Sequence, residues 1–341
     1  MILEPQEGQW LDLWMQSTEK DVFAHPSYVS LFENPYIRAR AFYWQSAQGS
    51  MLFPFLLRSL RHEPFWKPEH GDIYDIATPY GYGGPFIVSG NPTPELYNSF
   101  FSDFHQWAAQ NRIVSEFVRF SLFSGAYLGY PGEVVHANDN IVCNLSLDYE
   151  ELWGSFRHKV RKNVATAIDK QVHVEIDLDG SRLTDFCRIY LHTMQRRQAE
   201  KSYFLPVSFF EQLLSRLPNN SFLFHALHEN TVIASELVLA SETRIYSFLG
   251  GTLKEFFPLR AGDLLKNQIV KWGHQRGYKQ FVIGGGYKPH DGIFAFKKSF
   301  APDGIFPFYT GRKIFNQPLY NSLVLQAGKQ TNPGFFPGYR S

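Results

Sequence analysis

Apolar and polar positions follow one plan twice along the chain. Ala39 to Tyr43 is a β-rich run, Gln45, Ala47, Gln48, Gly49 and Ser50 supply turn chemistry, and Met51 to Leu60 is a second apolar run, so this stretch predicts a hairpin. Ser221 to His228, the turn Glu229–Asn230 and Thr231 to Ala240 predict another. Each hairpin leads into a strand ending in a glycine turn, Asp72 to Gly84 in the first case and Arg244 to Thr252, with Gly250 and Gly251, in the second. Then the period changes. Glu95 to Asn111 sets Leu96, Phe100, Phe104 and Trp107 on one helical face, and Asp263 to Arg276 does the same with Leu265, Ile269 and Trp272. Trp107-Ala-Ala-Gln110 matches Trp272-Gly-His-Gln275 at an offset of 165, and Phe117-Val118 matches Phe281-Val282 at 164.

Hairpin, glycine strand, helix and strand in one repeated order predict a duplicated α/β domain with mixed sheets and not a solenoid. The expected domains are 1–150 and 151–325, joined through residues 145–180, with a loop-like tail over 326–341. Glu150 to Lys170 reads as a helix carrying Arg157, His158, Lys159, Arg161, Lys162 and Lys170. Val172 to Asp177 reads as a strand, Arg182 to Arg197 as a helix capped by Asp179 or Ser181, and Pro206 to Leu217 as a short helix. After the repeat come a short helical Ile293 to Phe300 and a strand, Ile305 to Tyr309.

Composition narrows the function classes. A chain of 341 residues with 33 Lys and Arg against 32 Asp and Glu gives nucleic-acid binding no support from net charge. The apolar run Met51 to Leu57 is too short for a membrane helix, and Glu4, Glu7, Asp12 and Glu19 interrupt the place where a secretory signal would lie, so a cytoplasmic location is expected. Cys143 and Cys187 form no CxxC pair, which argues against a disulfide framework and a cysteine zinc site; no metal is expected. The chain has no GxSxG, HExxH or GxxxxGK[S/T]. Its 7 Trp, 18 Tyr and 32 Phe predict an aromatic core first, and second a ligand site walled by rings.

With this order of elements, Thr78-Pro-Tyr-Gly-Tyr-Gly-Gly84, Leu249-Gly-Gly-Thr252, Ile283-Gly-Gly-Gly286 and Phe296-Lys-Lys-Ser-Phe300 make the chain resemble the FemAB-like tandem GNAT proteins over nearly its whole length. The resemblance implies two tandem acyl-CoA N-acyltransferase domains, a ligand cleft between them, and transfer of an acyl group to a primary amine. Some members of the family draw on aminoacyl-tRNA to build peptidoglycan bridges; others use acyl-coenzyme A and acylate amino sugars, including nucleotide-linked ones for surface polysaccharides. The missing heptad arm and the net charge of +1 favour the second group, with acetyl or short hydroxyacyl as the group moved. The partners are then small molecules, acyl-coenzyme A and a dTDP- or UDP-linked amino sugar.

In the GNAT plan the fourth strand splays from its neighbour and offers backbone N–H groups to donor and oxyanion, which by position are those of Phe248, Leu249 and Gly250. The helix after it presents its amino end to the pyrophosphate of coenzyme A, here through Arg260, Gly262, Asp263 and Leu264, with Lys298 as a further phosphate contact. An Asp at that place repels pyrophosphate unless it turns away, and it can equally be a plain cap. Glu236, in the apolar strand Ile233 to Ala240, is the first candidate base, against the reading of a salt bridge to Arg244. His290, beside Asp291, is the second, and Tyr246 or Tyr287 can protonate the departing thiolate. Tyr80, Gly81, Tyr82 and Gly83 are expected at the acceptor, or as a structural turn; Arg157, Arg161, Lys162 and Asn163 are expected at its diphosphate, or on a solvated helix face. Asp177 and Asp179 have the DxD spacing of a metal-dependent glycosyltransferase, and a carbohydrate-binding module that keeps the fold without the chemistry is the non-enzymatic alternative.

Overall fold

The computed structural model describes residues 1–289, 291–328 and 335–341, and the chain divides into one unit of Met1–Ala137 with Pro307–Ser341 and another of Asn138–Phe306. The first opens with β1 (Ile2–Leu3), α1 (Gly8–Gln16) and α2 (Pro26–Ser30). The expected hairpin follows as β2 (Ile37–Ser46) and β3 (Gly49–Ser59), then β4 (Tyr74–Ala77), β5 (Phe86–Gly90), α3 (Pro94–Gln110) and β6 (Ile113–Arg119). β7 (Glu133–Asn144) leads into the second unit, which continues with α4 (Tyr149–Ser155), α5 (His158–Asp169), β8 (His173–Asp177), α6 (Leu183–Arg196) and α7 (Val207–Arg216). Its second half is β9 (Ser221–His228), β10 (Thr231–Ala240), β11 (Arg244–Thr252), α8 (Ala261–Gln275), β12 (Gln280–Gly285) and α9 (Gly292–Lys298). β13 (Ile305–Ile314) and α10 (Gln317–Ala327) return to the first unit.

The duplication read from periodicity is present in the pairing of the strands. In the first unit the order is β1-β2-β3-β4-β6-β13, with β5 beside β3; only β4 and β6 run parallel. In the second it is β8-β9-β10-β11-β12-β7, and only β11 and β12 run parallel. Each unit thus holds the same antiparallel hairpin, the same third strand and the same parallel crossover through one long helix.

Three departures from the periodic reading have physical causes. The chain leaves the first unit at 137 rather than near 150 and returns at 307, because β13 is the antiparallel partner of β6 while β7 is that of β12. No strand is read at β7, since its outer half is exposed and polar, with Glu133, His136, Asn138 and Asp139 in place of alternation. The expected helix over 150–170 breaks in two where Phe156 turns into the core, 1% exposed, and Arg157 adopts an extended ψ of 142°. The tail also does more than expected. The helix over residues 317–327 reaches its first two positions, and within the tail Tyr339 is fully buried, exchanging a 2.7 Å hydrogen bond with Ser115 and donating one of 3.1 Å to Asp75.

Most of the aromatic excess is core. Phe42, Phe53, Phe55, Phe100 and Phe104 pack together in the first unit, with Phe53 and Phe104 meeting edge-on at 4.9 Å. The second unit's core is largely aliphatic, built from β9 to β12 against α5 and α8. No helix among the described residues is long and apolar enough to cross a membrane.

Candidate active site

The second unit contains the strand opening that oxyanion chemistry requires. β11 and β12 pair in parallel at Arg244 with Gln280, Ile245 with Phe281 and Tyr246 with Val282; there the ladder ends, although β11 continues to Thr252 and β12 to Gly285. β12 bulges against β7 between Val282 and Gly284, which turns it away at this level. β11 stays paired with β10, Glu236 opposite Gly250 and Ser235 opposite Gly251. Both glycines are forced by packing. A Cβ on Gly250 would sit 2.5 Å from the Ser235 carbonyl oxygen, and one on Gly251 would sit 2.0 Å from Oγ1 of Thr193 on α6. Phe248, Leu249 and Gly250, the expected donors, therefore line the part of β11 that has left β12.

Charge is concentrated at this opening. Glu236 is buried, 6% exposed, and its carboxylate forms an ion pair with Nζ of Lys266 on α8. Lys266, 5% exposed, also donates a 2.7 Å hydrogen bond to the Ser247 hydroxyl on β11 and lies 5.3 Å from the Phe281 ring centroid. The partner of Glu236 is thus Lys266 and not Arg244, whose Nε donates to Oε1 of Gln280 at 2.8 Å. On α9, Lys297 donates a 2.7 Å hydrogen bond to the Gly285 carbonyl, so near the strand that a Cβ on Gly284 would come within 3.1 Å of its Nζ. Burial lowers the Lys297 pKa to about 7, helped by the charge of Lys266 and opposed by Glu236 and Asp291. Burial pulls Lys266 down as well, while Glu236 pulls it up. Lys297 and Lys266 were not among the candidate catalytic residues, and Lys298, at the end of α9, is half-buried.

The other proton-transfer candidates are placed differently. Tyr246 is 3% exposed in the last pair before the strands part. Tyr287 is 62% exposed in the turn after β12, with its N–H donating to Asp291. Asp291 also accepts N–H bonds from Lys288 and Phe294, so it caps α9; burial works to raise its pKa, but these bonds prevail and lower it. His290 lies outside the described residues.

At the start of α8, Arg260 occupies the cap position with a left-handed φ of 59°, and Asp263 is in the first turn, not at the cap. Its carboxylate is buried and accepts a 3.2 Å bond from Nδ2 of Asn163 on α5. Burial raises its pKa, with Asn163, Arg260 and Lys159 opposing. The N–H groups of Ala261 and Gly262 have no intrahelical acceptor, as in the first turn of any helix, and Gly262 admits close approach beside Thr252. Leu264 is buried beneath them. The N–H groups of Asp263, at 3.1 Å, and Leu264, at 3.4 Å, donate to the Arg260 carbonyl, so of the expected donors at this end Gly262 remains, with Ala261 beside it.

The basic face expected to hold a diphosphate is partly spent on scaffold, through Arg161 and Asn163, while Arg157 and Lys162 are exposed. Nη1 of Arg161 donates to the carbonyls of Trp153 and Gly154, the latter at 2.8 Å, and to that of Phe156, closing the end of α4. Asn163 holds Asp263, Arg157 contributes its N–H to the Ser299 carbonyl, and Lys162 is exposed. A cation the sequence reading passed over stands instead at the far end of β11. Arg196, at the end of α6, donates to the Thr252 carbonyl at 2.8 Å and stacks 4.9 Å over Phe257, a ring 43% exposed. Burial and the neighbouring Arg197 lower its pKa, with Glu255 opposing.

In the first unit, the glycine turn is a packing solution. A Cβ on Gly81, which has φ of +102°, would enter the Phe23 ring, and one on Gly83 would meet Thr78 at 2.9 Å. Tyr82 packs edge-on against Phe23 at 5.4 Å and Phe308 at 5.6 Å, and burial raises its pKa. Tyr80 is 37% exposed, and its carbonyl accepts a 2.6 Å bond from the Tyr28 hydroxyl. The DxD pair is likewise accounted for locally. Asp177 accepts N–H bonds from Asp179, Gly180, Ser181 and Arg182, so its carboxylate closes its own turn before α6.

Residues 154–298 match the acetyltransferase (GNAT) domain family. The second unit is therefore a GNAT acetyltransferase domain, and the activity it brings is acyl transfer. No curated protein sequence matches the chain. Among solved structures, the chain is similar to FemX, with 13% identity and a TM-score of 0.69 over 94% of this chain and 99% of that one. It is also similar to the C-terminal domain of a putative lysylphosphatidylglycerol synthetase from Agrobacterium fabrum, at 12% identity and TM-score 0.57, covering 92% and 95%. A tandem GNAT protein from the clavulanic acid biosynthesis pathway matches at 11% identity and TM-score 0.51, covering 93% and 98%. At these identities the likeness establishes the fold.

Proposed function

We propose that the protein is a coenzyme A-dependent N-acyltransferase that moves an acetyl or short hydroxyacyl group onto the amine of a nucleotide-linked amino sugar, at the opening between β11 and β12. The observation that carries the reading is Lys297, whose amine stands at that opening with its pKa brought to about 7. A lysine so tuned is partly neutral at physiological pH and can accept a proton. The amine attacks the thioester carbonyl and a C–N bond forms, while its proton passes to Lys297. N–H groups of the splayed β11 offset the charge that develops on the carbonyl oxygen. The C–S bond then breaks, and the thiolate leaves with the proton from Lys297. Glu236, engaged by Lys266, is in this reading a tuning group and not the base. The first turn of α8, with Arg260 and with the Asp263 carboxylate engaged by Asn163, would receive the donor's pyrophosphate. Arg196 replaces the α5 cations as the reader of the acceptor's phosphates.

A thiol-release screen crossing acyl-coenzyme A donors with dTDP- and UDP-linked amino sugars tests this. Turnover on one pair is expected. Silence across the matrix, together with transfer from a charged tRNA to a peptidoglycan precursor, would establish the aminoacyl alternative instead.

A further inference from the structure

One aromatic ring of the second unit is held at the surface by directed contacts. The 3-10 turn Lys254–Leu259 joins β11 to α8 and carries two neighbouring phenylalanines. Phe256 packs against the core around Ile189 and Leu253, whereas Phe257 keeps 43% of its surface exposed. A single exposed ring needs no explanation by itself. This one is fixed from three sides. The Arg196 guanidinium lies 4.9 Å from its centroid, its own carbonyl accepts the Arg260 N–H at 3.1 Å, and the Pro258 carbonyl accepts a 3.1 Å bond from Nζ of Lys170. Arg196 is anchored in turn by its 2.8 Å bond from Nη1 to the Thr252 carbonyl, and Thr252 adjoins the first turn of α8, where a Cβ on Gly262 would lie 3.3 Å from its Oγ1. Among the described residues no second ring or cation stacks on Phe257.

We propose that Phe257 and Arg196 form a nucleotide subsite, in which the base of a substrate stacks on the Phe257 ring and its phosphates meet the Arg196 guanidinium. A guanidinium on one face of a ring leaves the other face for a second planar group. Only Nη1 of Arg196 is taken up by the Thr252 carbonyl, so its other N–H groups suit phosphate oxygens. Lys170, Arg197 and Arg260 are exposed around this turn with Glu255 as its one acid, so the charge complements a polyanion. The inference rests on the acyl-transfer reading for one point, that a phosphate-bearing substrate reaches this end of β11. Acyl-coenzyme A and a nucleotide-linked sugar both carry a base with phosphates, and every base offers a π face to a ring, so the experiment separates the two sources.

The test is isothermal titration of the whole chain with UDP, dTDP, coenzyme A and, as a probe without a base, inorganic pyrophosphate. Phe257→Leu keeps an apolar side chain and removes the stacking face. It is expected to weaken the probe whose base lies on the ring by roughly 5- to 150-fold, the span that base-on-ring stacking supplies, and to leave pyrophosphate unchanged. Loss with UDP and dTDP assigns the ring to the acceptor, and loss with coenzyme A assigns it to the donor. Arg196→Ala should weaken the same probe. Binding of that probe to the wild type should also lower its near-ultraviolet absorbance, a sign of stacking that needs no substitution and decides the matter if Phe257→Leu melts early. Nucleotide affinities within twofold of wild type in Phe257→Leu, an equal loss for pyrophosphate, or no nucleotide binding by the wild type would overturn the proposal. The titrations need no turnover. Stacking on Phe257 without acyl transfer from any donor therefore refutes the functional reading and leaves this one standing, whereas transfer with unmoved affinities refutes this one alone.

Discussion

Replacing Lys297 separates proton transfer from mere charge. A lysine at its ordinary value has about one amine in 3,000 neutral at pH 7, whereas at a pKa of about 7 half are neutral, a gain on the order of a thousandfold in usable base. General-base catalysis by a placed side chain contributes about a hundred- to ten-thousandfold. Lys297→Met should therefore lower kcat/KM by that order. Lys297→Arg should do nearly as badly, because a guanidinium keeps the positive charge but holds no neutral form in this range. In the wild type, kcat/KM should rise about tenfold per pH unit below 7 and level off above it, since the neutral amine is the active form. The assay is thiol release under limiting acceptor from pH 5.5 to 9, with folding checked by thermal melts. If Lys297→Arg keeps activity within about tenfold of wild type, or if the wild-type profile is flat from pH 6 to 8, the amine is not the base.

Arg161→Ala should lower stability by roughly 1–3 kcal/mol in urea titrations, since it strips charged hydrogen bonds from the end of α4, and leave KM for the nucleotide sugar unchanged; a raised KM would return this residue to the substrate. Arg196→Ala should show the reverse, a raised KM for phosphate-bearing acceptors with little change for the free amino sugar. Arg340→Ala should cost roughly 1–3 kcal/mol, because the fully buried Asp75 carboxylate loses the 2.7 Å bond from Nε of Arg340 while keeping Arg58 at 2.6 Å; an unchanged melting temperature would show that the tail does not brace the first unit. His25 has its pKa lowered to about 4 by burial, and its Nδ1 accepts the Ser27 N–H at the start of α2, which requires the neutral ring. The unfolded chain then binds this proton at higher pH than the folded one, so stability falls as pH drops from about 6.5 towards 4, by roughly 2–3 kcal/mol, and is flat above 7. His25→Asn, which can keep the cap, should flatten that decline in urea titrations.

Periodicity alone carried the architecture because each element's pattern is local. The hairpin 221–240, the helix beginning near 261 and the strand at Phe281-Val282 were legible from alternation and from a spacing of three and four, and their repetition disclosed the duplication. Gly250 and the parting of β11 were also in reach, since the resemblance to the GNAT plan implies which strand splays. The strand β7 escaped because half of it faces outward with polar side chains, and its pairing with β12 joins segments about 140 residues apart.

The chemistry of the opening belongs to the tertiary structure. Glu236, Lys266 and Lys297 come from a strand and two helices, and nothing in the local sequence of either lysine distinguishes it from a solvated one; enclosure and mutual proximity make one an anchor and bring the other towards neutrality. Arg161 and Asp263 make the converse point. Both stand where an anion site was expected, yet the fold commits one to the carbonyls around α4 and turns the other towards Asn163. Sequence determines which side chains are available and on which elements they ride, because those are properties of neighbours along the chain. What each charge does depends on which groups the fold brings against it and how much water it removes, and only packing between distant segments decides that.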